Sequence, residues 1–163
     1  MVFAPPRSGL ETASSGHYDP WYDLRLNWPR VGLIIRPMTG DLLGELRQHP
    51  DSIAIRADSS AAQRRCTLAH EIVHLERGVR ECGRWASREE RTVHQIASRR
   101  LIRTWELVAA LREHGGAADR GALAQTLDVD GETLAVRLDS LTPSEIRAVR
   151  RALDGARQLW AVA

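Results

Sequence analysis

The stretch TLAHEIVHLERG, residues 67–78, spaces His70, Glu71 and His74 in the pattern H-E-x-x-H. On an α-helix, residues four apart stand one above the other on a single face, so two imidazoles there can converge on one ion at about 2.0–2.1 Å. Glu71 is rotated by about 100° from His70, a poor position for a ligand but one from which a carboxylate reaches a water beside the ion. Two ligands and a base that removes a proton from water as it attacks a carbonyl make up the division of labour of a zinc peptidase. The competing reading leaves both histidines solvated or packed in a core.

A catalytic zinc takes a third protein ligand and keeps a fourth position open. The stretch SREERTVHQIASRRLI, residues 87–102, offers two adjacent carboxylates, Glu89 and Glu90. Glu90 shares a helix face with His94, Ala97 and Leu101, and the small Ala97 permits close approach to the first helix. Yet Glu90 also stands three residues after Ser87, where it would close a capping box. Spacing leaves both glutamates open, with the shared face favouring Glu90, because helix ends are uncertain by one or two residues. Cys66 lies one turn before His70; a thiolate ligand is conceivable, but the full-turn displacement favours a buried structural cysteine.

These side chains need elements to position them. Ser60 and Gln63 form a capping box, Gly78 is placed to end the helix about five turns later, and Leu68, Ile72 and Leu75 make its apolar stripe. Ser87 and Glu90 open a long helix that follows Val93, Ile96, Ala97, Leu101, Val108 and Leu111 as far as the glycines at 115 and 116. Three shorter helices are expected at about 119–127, 131–140 and 143–159, the last with Thr142 as cap, Pro143 first and Glu145 closing the box. Upstream, RVGLIIR, LLGELR and DSIAIRAD read as strands that a small antiparallel sheet would satisfy, with SIAIRAD as the edge beside the cleft. The expected fold is α+β, with residues 1–20 a mobile arm, 21–116 a zincin-like core and 117–163 a C-terminal helical cap packed on it.

Composition narrows the function. The chain has 163 residues and a net charge of +2, and all 23 basic residues are arginine. Near neutrality gives no global pull toward nucleic acid. The segment ALAQTLDVDGETLAVRL scans like a helix-turn-helix, but from Asp119 to Asp139 five acids face two arginines, Arg120 and Arg137, a poor recognition surface for phosphates. Arg99, Arg100 and Arg103 read as a solvated face without a stacking ladder. Two cysteines, Cys66 and Cys82, outside CxxC spacing suggest reduced thiols, and the absence of a spanning apolar run or signal core suggests a cytoplasmic protein.

RRCTLAHEIVHLERG, then REERTVHQIASRRLI, then LDVDGETLAVRLDSLTPSE, resemble the ImmA/IrrE family of zinc metallopeptidases, in particular short forms from actinobacteria and their phages, over about residues 28–150. The resemblance implies a gluzincin-like metallo-endopeptidase with Zn²⁺ held by His70, His74 and Glu90, and Glu71 as general base. It implies a protein substrate, a transcriptional repressor of a phage or mobile element. The family places an Asn or Asp four residues after the ligand glutamate; here His94 stands there, able to orient a ligand histidine only as a neutral acceptor, or itself to approach the metal. Tyr18, Tyr22, His114 and neighbouring arginines are candidates for stabilising an oxyanion. The alternative is a non-hydrolytic, metal-containing regulatory module that binds protein or DNA through its C-terminal helices.

Overall fold

The computed structural model describes residues 16–47, 51–78, 86–114 and 119–160. The first element is a helix that none of the elements expected from the sequence covers: α1, Pro20–Asn27. Asp19 caps it, accepting the backbone N–H of Trp21 at 2.9 Å and of Tyr22 at 3.2 Å, and Pro20 occupies the first turn, where its missing N–H costs nothing. Asp-Pro was the signal to read. Residues 1–15 of the expected arm, and Cys82, lie outside the described residues.

Three strands follow, β1 Gly32–Arg36, β2 Gly44–Arg47 and β3 Ser52–Arg56, in the order β1-β3-β2. The sheet is mixed and not antiparallel throughout: β1 runs parallel to β3, Ile34 opposite Ala54, while β2 runs antiparallel, Glu45 opposite Ala54. Burial explains the order. Ser52, Ile53, Ala54 and Ile55 are all buried, so β3 is covered on both faces and takes the centre. SIAIRAD is therefore not a sheet edge; β1 and β2 are.

The open side of β2 follows from its ladder. The Leu43 carbonyl accepts the Arg56 N–H at 2.8 Å. Antiparallel alternation then turns the backbone groups of Leu43, Glu45 and Arg47 toward β3, and those of Gly44 and Leu46 toward the open edge.

Helix α2, Ala61–Arg77, starts and stops as its sequence dictates. The Ser60 hydroxyl accepts the Gln63 N–H at 3.1 Å, the Gln63 side chain accepts the Ser60 N–H at 2.9 Å, and Gly78 ends the helix at φ 60°. Its apolar stripe enters a core of Leu24, Ile53, Ile55, Leu68 and Ile72, flanked by Trp21, Trp28, Val31, Leu46 and Leu75.

The expected long helix is two: α3, Ala86–Leu101, and α4, Thr104–Glu113. Arg103 between them is extended, and the Glu106 carboxylate accepts its N–H, so a new helix begins where periodicity alone would continue the old one. Helices α5 Arg120–Thr126, α6 Gly131–Asp139 and α7 Pro143–Trp160 match the three shorter ones expected. The chain forms two compact units, Met1–Val93 and His94–Ala163, divided within α3. Among the described residues no helix is long and apolar enough to cross a membrane.

The second unit is organised around a buried ion pair. Arg137 is 1% exposed; its Nε donates to the Ile102 carbonyl at 2.7 Å and its Nη2 to Glu145. Glu145 also accepts the Thr104 hydroxyl at 2.6 Å and the Thr142 N–H at 2.8 Å, closing the α7 capping box. Arg137 is thus withdrawn from any phosphate the helix-turn-helix alternative would offer it. Burial alone would raise the Glu145 carboxyl, but Arg137, Thr104 and Thr142 outweigh it and hold the group well below the usual carboxylate range. Arg137 is buried, whereas Glu145 is only half-buried and keeps Thr104 and Thr142, so Arg137→Ala, which also strips the Ile102 carbonyl of its donor, is expected to cost about 1–3 kcal/mol in denaturant unfolding. A depressed folded pKa stabilises above the unfolded value of 4.5 and loses that contribution as pH falls, so Glu145→Gln should flatten the decline in stability below pH 4.5.

Candidate metal centre

An uninterrupted α2 fixes His70 and His74 on one face, their ring centroids 4.7 Å apart and their planes at 67°. The two Nε2 atoms lie 3.0 Å apart. Glu90, in the first turns of α3, sets Oε2 3.3 Å from the His70 Nε2 and Oε1 3.2 Å from the His74 Nε2. The three form the one cluster of potential metal ligands among the described residues. Donors each about 2.0–2.1 Å from a tetrahedral ion stand about 3.3 Å apart, so this triangle has the size zinc requires, and three donors leave one position open. The histidine side chains are 17% and 15% exposed and Glu90 49%, so the cluster opens to solvent on the Glu90 side.

The adjacent glutamates part company. Ser87 lies inside α3, which leaves it no capping role for Glu90 to complete. Glu89 turns to Arg77, whose guanidinium grips it with both Nε and Nη2, the latter 2.9 Å from Oε2. The geometry brings Glu90, and not Glu89, to the histidines.

Glu71 is buried, 6% exposed, and its carboxyl is pushed up to about 8, first by burial and then by the charges of Glu90 and Glu45. Strand β2 passes close above it. A Cβ on Gly44 would overlap the Thr67 Cγ2 methyl and lie 3.2 Å from the Ala54 carbonyl and 3.3 Å from Glu71 Oε1. Only glycine lets the open edge of the sheet descend this far onto α2. Glu45, the next residue, is held by Arg36 at 2.6 Å and Arg47 at 3.2 Å.

Other sequence candidates have other engagements. Cys66 is buried and outside the ligand cluster. His94, one turn beyond Glu90 in α3, is half-buried and is not one of the three converging ligands. Tyr18 donates its hydroxyl to Asp23 at 2.6 Å, Arg25 lies 5.6 Å from the Tyr22 ring centroid, and His114 pairs with the Thr126 hydroxyl at 2.8 Å. Sequence reasoning missed Gly44, Glu45 and Arg77. A glycine inside a strand was a usable signal for the first; nothing local marked the other two.

A helix bearing two histidines, a carboxylate from the following helix and a buried glutamate beneath a sheet edge thus lie together at one site. The sequence profile of the IrrE N-terminal-like domain, a peptidase family, matches residues 33–139, from β1 to the end of α6. The chain belongs to the ImmA/IrrE family of metallopeptidases. No curated protein and no solved structure matches it.

The contact at Gly44 can be probed directly. Gly44→Ala is expected to cost about 1–3 kcal/mol through overpacking, read from thermal or denaturant unfolding. Adding Thr67→Ser, which removes the overlapping methyl, should recover part of that loss. Full stability of Gly44→Ala alone would show that β2 has room to spare.

Proposed function

We propose that the protein is a zinc-dependent endopeptidase in which His70, His74 and Glu90 hold the ion and Glu71 is the general base. The observation that carries this reading is the convergence of three donor atoms, 3.0–3.3 Å apart, from two helices beside a buried carboxylate. Zinc there would supply Lewis acidity, polarising a carbonyl and lowering the pKa of a water. Glu71 accepts a proton on its carboxylate as water attacks the carbonyl carbon, then returns it to the amine nitrogen as the C–N bond breaks.

The open edge of β2 is the proposed seat for substrate. The backbone groups of Gly44 and Leu46 face outward, so an extended peptide can add as a further strand through main-chain hydrogen bonds. Gly44 lies against Glu71 Oε1, so the middle of that added strand would pass beside the proposed base. A segment able to become a strand belongs to a protein substrate, and the family resemblance favours a repressor-type regulator of a phage or mobile element.

Purified protein should carry close to one equivalent of zinc, lost in His70→Ala and His74→Ala and retained in Glu71→Gln. Activity in Glu71→Gln should fall by about 10²–10⁴-fold, the contribution of a positioned general base. That variant is also a trap: crosslinked in cells carrying the native genetic neighbourhood, it should enrich a partner that wild type cleaves and a chelator protects. If both forms bind the same partner equally, with the same functional outcome and no cleavage, the protein is a non-hydrolytic regulatory module.

A further inference from the structure

The two histidines and the glutamate reach the cluster by different routes. His70 and His74 are fixed relative to each other by one helix, but Glu90 arrives on another, and residues 79–85 join the two. Seven residues can span roughly 23–25 Å, so connectivity alone does not bring a carboxylate within ligand distance of two particular imidazole nitrogens. A site that works within about 0.5 Å needs a local device to register the two helices.

The described contact at that junction is the fork between Arg77 and Glu89. Arg77 is the last residue of α2, and Gly78 beyond it ends the helix with its N–H on the His74 carbonyl at 3.1 Å, so the backbone carrying the guanidinium is fixed. Arg77 stands three residues after His74, on the neighbouring part of the same face. Glu89 immediately precedes Glu90, and its two oxygens take separate donors, Nε and Nη2. A bidentate guanidinium–carboxylate pair fixes orientation as well as distance, which a single-point ion pair does not. Gripping one glutamate therefore aims its neighbour.

We propose that Arg77 is a positioning residue for the metal centre: its grip on Glu89 sets the start of α3 so that Glu90 meets His70 and His74. This rests on the metal-site reading above. The grip orients a ligand without touching the ion, a role whose loss typically weakens metal binding by about 10–100-fold.

The test measures zinc affinity of the full-length protein by competition with a chromophoric chelator, together with the visible spectrum of the Co²⁺-substituted form. Arg77→Ala and Glu89→Gln should each weaken zinc about 10–100-fold and alter the Co²⁺ spectrum, with circular dichroism unchanged. Arg77→Lys, which keeps the charge but not the fork, should fall between wild type and Arg77→Ala. The decisive arm is Glu90→Ala: in that background Arg77→Ala should cause no further loss, because no third ligand remains to position. If Arg77→Ala folds poorly, Glu89→Gln with and without Glu90→Ala carries the same comparison. Unchanged affinity in Arg77→Ala and Glu89→Gln, alongside a loss in Glu90→Ala, overturns the clamp and leaves the metal site standing. An equal loss with and without Glu90 also overturns it, assigning Arg77 to the fold in general. Zinc affinity unaffected by Glu90→Ala overturns both readings.

Discussion

The site depends on α2 staying one unbroken helix from its Ser60 cap to Gly78. Two imidazoles four residues apart share a point in space only while the backbone between them keeps helical pitch, and α2 is secured at both ends and along its buried stripe. Gln63 closes the box at the start, Gly78 takes the left-handed conformation at the stop, and Leu68 and Ile72 lock the rotation about the helix axis against Ile53 and Ile55. That rotation determines which residues face the cluster and which face the sheet. Turning α2 by one residue would exchange Glu71 with a ligand position, so the hydrophobic core and the chemistry are set by the same angle.

Charge imposes the next constraint. Glu71, Glu90 and Glu45 are close enough for the last two to raise the first, and burial raises it further. Nothing in that trio favours the ionised form of Glu71, whereas a divalent cation at the neighbouring donors would. Glu45 is compensated by Arg36 and Arg47, which leaves Glu90 as the charged neighbour that most disfavours ionisation of Glu71. The proposed base and the proposed cation site would thus be coupled electrostatically.

The sequence made helices legible where their ends carry local chemistry. Ser60 with Gln63, Gly78, and Thr142 with Glu145 placed α2 and α7 to within a residue or two. Asp19-Pro20 carried the same kind of information and went unread, which hid α1. Periodicity misled at Arg103, because Glu106 restarts the helix while the apolar spacing runs through. Strand pairing was least legible: alternation says which face is buried, but not that β3, covered on both sides, would separate β1 from β2. His70, Glu71 and His74 could be singled out because one helix places them all. Choosing between Glu89 and Glu90 required knowing where α3 begins and what Arg77 holds, and both are properties of two helices together.

A third ligand on a different helix turns the cluster from a binding site into a joint. Glu89 and Glu90 are consecutive, and each reaches back to α2, one to Arg77 and the other to the histidines. The Arg77–Glu89 fork fixes direction more than it adds stability, so it orients the start of α3 without having to hold the two helices together by itself. Coordination by the proposed ion would be far stronger, and because the donors converge only in the folded arrangement, its free energy would become stabilisation of that arrangement. In the proposed metal centre the ion pair would aim Glu90 and coordination would secure its placement. On that reading the start of α3 would be the part of the first unit most dependent on the ion, whereas α2, capped at both ends and buried along its stripe, aligns its two histidines by its own packing.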